Sequence, residues 1–158
     1  MFTSRPVIVT GSSGQLGREV VLLLRANGYV VRGLDLVASP TTDTVADLRV
    51  EDVVRDLTRG AGAIIHTAAL HGKHYDLHVP RLDFVRTNIE GTLHLLNACV
   101  THGIPKLLYV STTSIYGQAM VNPDQAVWVD EHLVPQPRDI YDITKQTAEA
   151  LCRDFCDK

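Results

Sequence analysis

The chain is poor in the features that mark out several broad classes of protein. Only three of its 158 residues are cysteine and only 6% are aromatic. An odd number of thiols, two of them four residues apart at Cys152 and Cys156, suits neither a disulfide framework nor a zinc site. With Leu151 and Phe155 beside them they read as helix-packing residues in a reducing, cytoplasmic setting. No long apolar run is present: the longest, residues 20–24, is far short of the ~20 residues that span a bilayer. The first ten residues lack the basic stretch and apolar core of an export signal, so a soluble chain with no membrane partner is expected. Nor is there an excess of positive charge. Fifteen basic against eighteen acidic side chains give a formal charge of −3, which argues against nucleic acid as the partner and for a small molecule or a protein.

What is present is an alternation of short β-branched runs with amphipathic segments. Val7–Thr10 reads as a strand ending in glycine, and residues 19–26 follow with helical spacing of Val20, Leu23 and Leu24. Asn27-Gly28 stops that helix, and residues 29–36 form a second strand. A brief third strand over 45–48, a short helix over 50–57 and a buried strand Ala63–His66 come next. Residues 81–101 carry Leu82, Val85, Ile89, Leu93, Leu96 and Val100 at spacings of three and four, a long helix closed by His102-Gly103. A buried strand over 107–111, a long loop over 117–138 and a closing helix over 140–155 complete the order. This pattern predicts an α/β fold, a doubly wound parallel sheet of Rossmann type in one domain over residues 1–158.

The segment Thr10-Gly11-Ser12-Ser13-Gly14-Gln15-Leu16-Gly17 places three glycines at intervals of three between the first strand and the first helix. Such spacing arises by chance roughly 0.05 times in a chain with this glycine content, before the strand-helix context is required. Gly11 permits a tight turn, Gly14 lets the backbone approach a pyrophosphate and Gly17 allows close helix packing, with helix N-terminal amides facing the anion. Asp35 ends the second strand, where a carboxylate accepts hydrogen bonds from both ribose hydroxyls of an adenosine and repels a 2′-phosphate. No arginine lies within residues 36–42, although Arg32 precedes it, so NAD is preferred over NADP. Tyr141 and Lys145 stand at i and i+4 on one helix face. A cation ~5 Å from a phenolate at an effective dielectric of ~20 favours ionisation by ~3 kcal/mol, enough to move a phenol towards working pH. A phenol so tuned can exchange a proton with an alcohol while hydride moves to or from a nicotinamide. His71, His74 and His78, with Lys73, could bind a metal or a phosphate, but no thiol or dense carboxylate accompanies them, so a solvated loop and no metal is the expectation.

Together, the glycine turn, Asp35, Asp47-Leu48, His66-Thr67-Ala68-Ala69, Asn88 with Gly91-Thr92, residues 110–117 and the Tyr141 to Lys145 segment resemble the extended short-chain dehydrogenases/reductases, specifically the NAD-dependent epimerase/dehydratase family. The resemblance covers essentially the whole chain. It implies that Tyr141 is the acid/base, that Lys145 lowers its pKa and holds the nicotinamide ribose, and that Thr112, four residues before Tyr116, hydrogen-bonds the reacting substrate oxygen, with Ser111 the competing assignment. It further implies that Gly11, Ser13, Gly14, Gln15, Leu16 and Gly17 belong to the cofactor-binding set, with Gln15 and Leu16 at the pyrophosphate, and that Asp47 and Leu48 sit at the adenine. Thr67, Ala68 and Ala69 would line the cofactor groove, with Asn88 supporting the active site among the cofactor-binding set. A sugar or nucleotide sugar is the implied substrate and a homodimer the implied assembly. The alternatives are a dehydrogenase of a sugar acid, hydroxysteroid or aldehyde, or a non-catalytic NAD-binding module. Members of this branch continue into a C-terminal substrate domain beyond the tyrosine helix, so the chain is expected to be truncated relative to the family, to leave its fifth strand at an open edge, and to bind NAD while turning over little by itself.

Overall fold

The structure, a computed structural model, describes residues 5–72, 74 and 77–156. Five parallel strands, β1 (Val7–Thr10), β2 (Val31–Asp35), β3 (Thr44–Val45), β4 (Ala63–His66) and β5 (Leu107–Tyr109), form one sheet in the order β3-β2-β1-β4-β5. Register pairs Thr10 with both Leu34 and His66, so the residues that follow, Gly11, Asp35 and Thr67, emerge together at one edge. The strand order reverses at β1, and ligands of open α/β sheets bind at the carboxyl ends beside such a reversal. The expected Rossmann-type doubly wound fold is what the chain adopts, and β5 stands at the sheet's edge.

Helix α1 (Gln15–Ala26) follows β1, and α2 (Glu51–Thr58) follows β3. Right-handed crossovers running in opposite directions along the sheet, β1 to β2 through α1 and β3 to β4 through α2, put these two helices on opposite faces. The main core lies on the α2 side: Ile8, Leu34 and Ile64 of the sheet meet Val54 of α2 and, from the next helix, Leu95 and Ala98. That helix, α3, is three consecutive pieces, α-helical Arg81–Phe84, a π-helical Val85–Glu90 and α-helical Gly91–His102. The last helix, α4 (Ile140–Cys156), packs beside it.

Several boundaries differ from the sequence reading. Helix α1 begins four residues earlier than expected, because the glycine turn is also the first helical turn; the poor helix propensity of Gly17 hides this. A Cβ on Gly17 would strike the carbonyl oxygen of Gly11, so close packing decides the residue there. Strand β3 stops at Val45, since Asp47 turns the chain: its carboxylate accepts the Arg49 N–H at 2.9 Å and its carbonyl accepts the Val50 N–H at 3.2 Å. The apolar stripe expected on the long helix is its buried face only in part. Leu96 is buried but Leu82 and Val100 are exposed, and Phe84, Asn88, Gly91, Thr92, Leu95 and Ala98 are buried from outside the stripe, so the inward face also carries small and polar side chains that a hydrophobic pattern ignores. Strand β5 is shorter than residues 107–111, and its middle residue Leu108 is exposed.

After β5 a 3-10 helix, Thr113–Met120, kinks at Gly117 (φ 45°). A Cβ on Gly117 would strike the carbonyl oxygen of Gln136, and the Gln118 N–H donates to that oxygen at 2.9 Å. The expected long loop is therefore pinned shut at its base, with Trp128 86% exposed and Val134 70% exposed on the excursion.

Candidate active site

At the carboxyl ends of β1, β2 and β4 the sheet opens into a cavity of about 970 Å³. All of Gly11, Ser13, Gly14, Gln15, Leu16, Gly17, Asp35, Asp47, Leu48, Thr67, Ala68 and Ala69 lie on its wall. Gly11 has φ +72° and a Cβ there would sit 2.6 Å from the Ala68 nitrogen, so only glycine allows the turn to lie against the β4 loop. Thr67 braces the turn by donating its hydroxyl to the Thr10 carbonyl at 2.7 Å. Gly14 caps α1 without a side-chain hydrogen bond, and no acidic residue occupies the first turn. The first amides of that helix have no intrahelical acceptor, and they face the cavity with the positive end of the helix dipole.

Asp35 is held in place by the backbone. Its Oδ2 accepts the Ser13 N–H at 2.9 Å and its Oδ1 accepts the Val37 N–H at 3.0 Å. Each oxygen keeps a further lone pair, so the carboxylate can still take two hydroxyl donors. The glycine turn and the end of β2 are thus tied to each other around the place where a dinucleotide's pyrophosphate and adenosine ribose would lie. These features fit NAD: amides for the pyrophosphate, a carboxylate for the ribose and an open space over Gly14.

Asp47 has an unexpected partner. Arg49 donates from Nε at 2.9 and 3.0 Å and from a terminal nitrogen at 2.7 Å, and also lies 3.8 Å from Asp83 on the first piece of α3. Hydrogen bonds from Arg49 hold the Asp47 carboxyl below its ordinary pKa. The guanidinium joins two walls of the cavity, and the short Asp-x-Arg spacing is the signal in the sequence that could have revealed it. Leu70, His71, His74, Val79 and Thr87 also line the space and were not singled out as cofactor contacts.

Four expected residues lie off this wall. Asn88 is 1% exposed and clamps the β4 loop: its Nδ2 donates to the Leu70 carbonyl at 2.8 Å and its Oδ1 accepts the Leu70 N–H at 2.9 Å. It acts through Leu70 and does not border the cavity. Lys145, 3% exposed, donates from Nζ to the Val110 carbonyl at 2.6 Å and lies 4.1 Å from the centre of the Tyr109 ring. Burial pulls its pKa down to about 8. Thr112 accepts the Ser114 N–H at 3.1 Å, which leaves its own hydroxyl proton to donate. Ser111 Oγ and the Tyr109 hydroxyl are buried without a hydrogen-bond partner among the described residues. Tyr141 sits half-buried in the first turn of α4, whose start is locked by Asp142: this buried carboxylate accepts the Arg138 N–H at 3.1 Å.

The histidine segment is not wholly the expected loop, since Gly72 and His74 are helical. The His71 N–H donates to His74 Nδ1 at 3.0 Å, and the two rings meet edge to face at 4.4 Å. Lys73 lies outside the described residues, among which no group of three metal-ligand side chains converges. All three cysteines are free thiols, and Cys156 is exposed where packing was expected.

Comparison with known proteins agrees with this geometry. A model of the NAD dependent epimerase/dehydratase family matches residues 7–158. UDP-glucose 4-epimerase 4 of Oryza sativa subsp. japonica is 30% identical, over 97% of this chain and 45% of its own length. A 3-beta-hydroxysteroid dehydrogenase of Mycolicibacterium neoaurum is 32% identical, over 90% of this chain and 41% of its own. Among solved structures, a short-chain dehydrogenase/reductase superfamily protein from Agrobacterium tumefaciens with bound NAD matches with a TM-score of 0.83 at 30% identity, covering 95% of this chain and 44% of that one. The chain thus spans less than half the length of each of these relatives. A glycine turn, a carboxylate held beside it at the end of β2 and a family match over nearly every residue lead to one conclusion: the chain belongs to the NAD-dependent epimerase/dehydratase family.

Proposed function

We propose that residues 1–158 form the NAD-binding Rossmann domain of an oxidoreductase that acts on a sugar or nucleotide sugar, with Tyr141 as the acid/base. The observation that carries this reading is the cavity in which Asp35 is held by Ser13 and Val37 opposite the free amides of α1. NAD, when bound, supplies the hydride acceptor. The chain's own residues do the rest: the glycine turn and α1 bind the pyrophosphate, Asp35 orients the ribose, and Tyr141 takes or returns the hydroxyl proton of the substrate. Thr112, whose proton is left to donate, orients the reacting oxygen, and Ser111 is the alternative donor. Lys145 serves Tyr141 and the cofactor ribose by turning from the Val110 carbonyl.

A nucleotide-sugar substrate is supported by the rice epimerase, and a hydroxysteroid or other non-nucleotide alcohol by the Mycolicibacterium dehydrogenase. Assembly as a homodimer through α3 and α4 is supported by Leu82, Val100 and Ile143, all exposed on those helices. Free thiols suit a reducing compartment such as the cytoplasm. No described helix is long and apolar enough to cross a membrane.

Calorimetry with NAD and NADP tests the cofactor reading. NAD should bind more tightly, and Asp35→Ala should narrow the gap by weakening NAD and relieving repulsion of the 2′-phosphate. Equal affinities in the unaltered chain would overturn it. For the catalytic reading, Tyr141→Phe in the enzyme containing this domain should remove turnover and leave NAD affinity nearly unchanged. Thr112→Ala and Ser111→Ala distinguish the two hydroxyls, the larger loss of kcat marking the one that touches substrate.

A further inference from the structure

His66 ends β4, is 1% exposed, and uses both ring nitrogens. Nδ1 lies 2.7 Å from Thr10 Oγ1 and Nε2 lies 3.1 Å from Thr92 Oγ1. The neighbours decide the tautomer. Thr92 donates its hydroxyl proton to the Asn88 carbonyl at 2.6 Å, so towards His66 it can only accept. The ring therefore carries its proton on Nε2, and Nδ1 accepts from the Thr10 hydroxyl, whose oxygen in turn accepts the Ala68 N–H at 3.4 Å. Beyond Thr92 the line continues in the same sense. Asn88 Nδ2 donates to Thr144 Oγ1 at 3.0 Å, and Thr144 donates to the Tyr141 carbonyl at 2.9 Å. Thr10, His66, Asn88, Thr92 and Thr144 are all buried.

Thr10 immediately precedes the glycine turn, and Tyr141, the proposed acid/base, lies in the first turn of α4. A buried polar network in which each proton has a defined acceptor holds one arrangement against its competitors, since any slip leaves a polar group unpaired in a low dielectric. We propose that His66 is a positioning residue: through Thr92, Asn88 and Thr144 it fixes the first turn of α4 relative to the glycine turn, so that Tyr141 is set against whatever that turn holds. The catalytic part of this statement rests on the function proposed above; the mechanical part does not.

Amide hydrogen exchange on the 158-residue chain separates the two. His66→Phe keeps a flat ring and removes both hydrogen bonds. It should speed exchange over residues 140–148 about tenfold while residues 51–58 in α2 exchange as before. His66→Gln should restore protection, because its amide oxygen and nitrogen have the spacing needed to accept from Thr10 and donate to Thr92. Unchanged exchange over 140–148 in His66→Phe, an equal rise in α2, or failure of Gln to rescue would overturn the proposal. Should His66→Phe not fold, Thr92→Val breaks the same seam at its middle and is held to the same outcomes. With NAD added, the unaltered chain should slow at residues 11–17 and 140–148, and His66→Phe at 11–17 only; slowing at both segments in His66→Phe counts against the proposal. If NAD leaves residues 11–17 of the unaltered chain unchanged, the cofactor reading falls, and the cofactor-free comparison still decides the seam.

Discussion

His66 and Lys145 are both buried bases whose pKa values are pulled down, yet they make stability depend on pH in different windows. Burial, with Lys145 as a lesser cause, lowers His66 from 6.5 to about 3. Between those values the unfolded chain holds a proton on the ring that the folded chain does not, so stability falls as the pH drops through this range. The loss from this one residue is on the order of 4–5 kcal/mol. Urea denaturation at pH 7 and pH 4.5 should show a smaller loss in His66→Gln than in the unaltered chain; equal losses would refute this. Burial lowers Lys145 from 10.5 to about 8. Between these values the folded chain has given up a proton that the unfolded chain keeps, so this residue's contribution rises with pH and its full cost is present below pH 8. Lys145→Met should therefore fare better against the unaltered chain at pH 7 than at pH 10, by about 2–3 kcal/mol, as measured by the same denaturation. A lysine retained at such a cost is consistent with the role proposed for it beside Tyr141.

At the scale of elements, the sequence showed which strands and helices exist far better than which faces they bury. The glycine turn was legible because its three positions each have a different steric reason, and the structure shows two of them directly, at Gly11 against Ala68 and at Gly17 against Gly11. Replacing Gly17 by Ala should destabilise the chain by on the order of 1–3 kcal/mol, by analogy with overpacking elsewhere, because the obstacle is backbone and cannot move aside. A thermal melt within a degree of the unaltered chain would show the turn to be looser than this. The inner face of α3 was hidden because Asn88 and Thr92 bury polar atoms that only their partners justify, and those partners, Leu70, His66 and Thr144, come from other elements. Arg49 was missed for the same reason: its value lies in reaching Asp47 and Asp83 together, and Asp83 belongs to a distant segment. Local chemistry was readable; pairing across elements was not.

Taken whole, the molecule is lopsided. Among the described residues, α2, α3 and α4 pack together on one side of the sheet, α1 lies on the other, and β5 is at the margin with Leu108 55% exposed. An apolar edge strand is a template for pairing with another chain. Leu108→Arg should reduce concentration-dependent light scattering of the isolated chain with little change in melting temperature; scattering that is unaltered would place the sticky surface elsewhere, the exposed side chains of α3 and α4 being next in line.

The pinned loop between Gly117 and Gln136 has a practical consequence for anyone who studies this chain in solution. Trp128 is its one tryptophan, and it projects from that loop almost fully into water. Intrinsic fluorescence excited in the indole band is thus blind to the core: the native spectrum should already be red-shifted, and melting the sheet should scarcely move it. The same indole is a clean reporter for the loop itself, and a blue shift on adding a ligand or partner chain would signal that something has settled over residues 119–135.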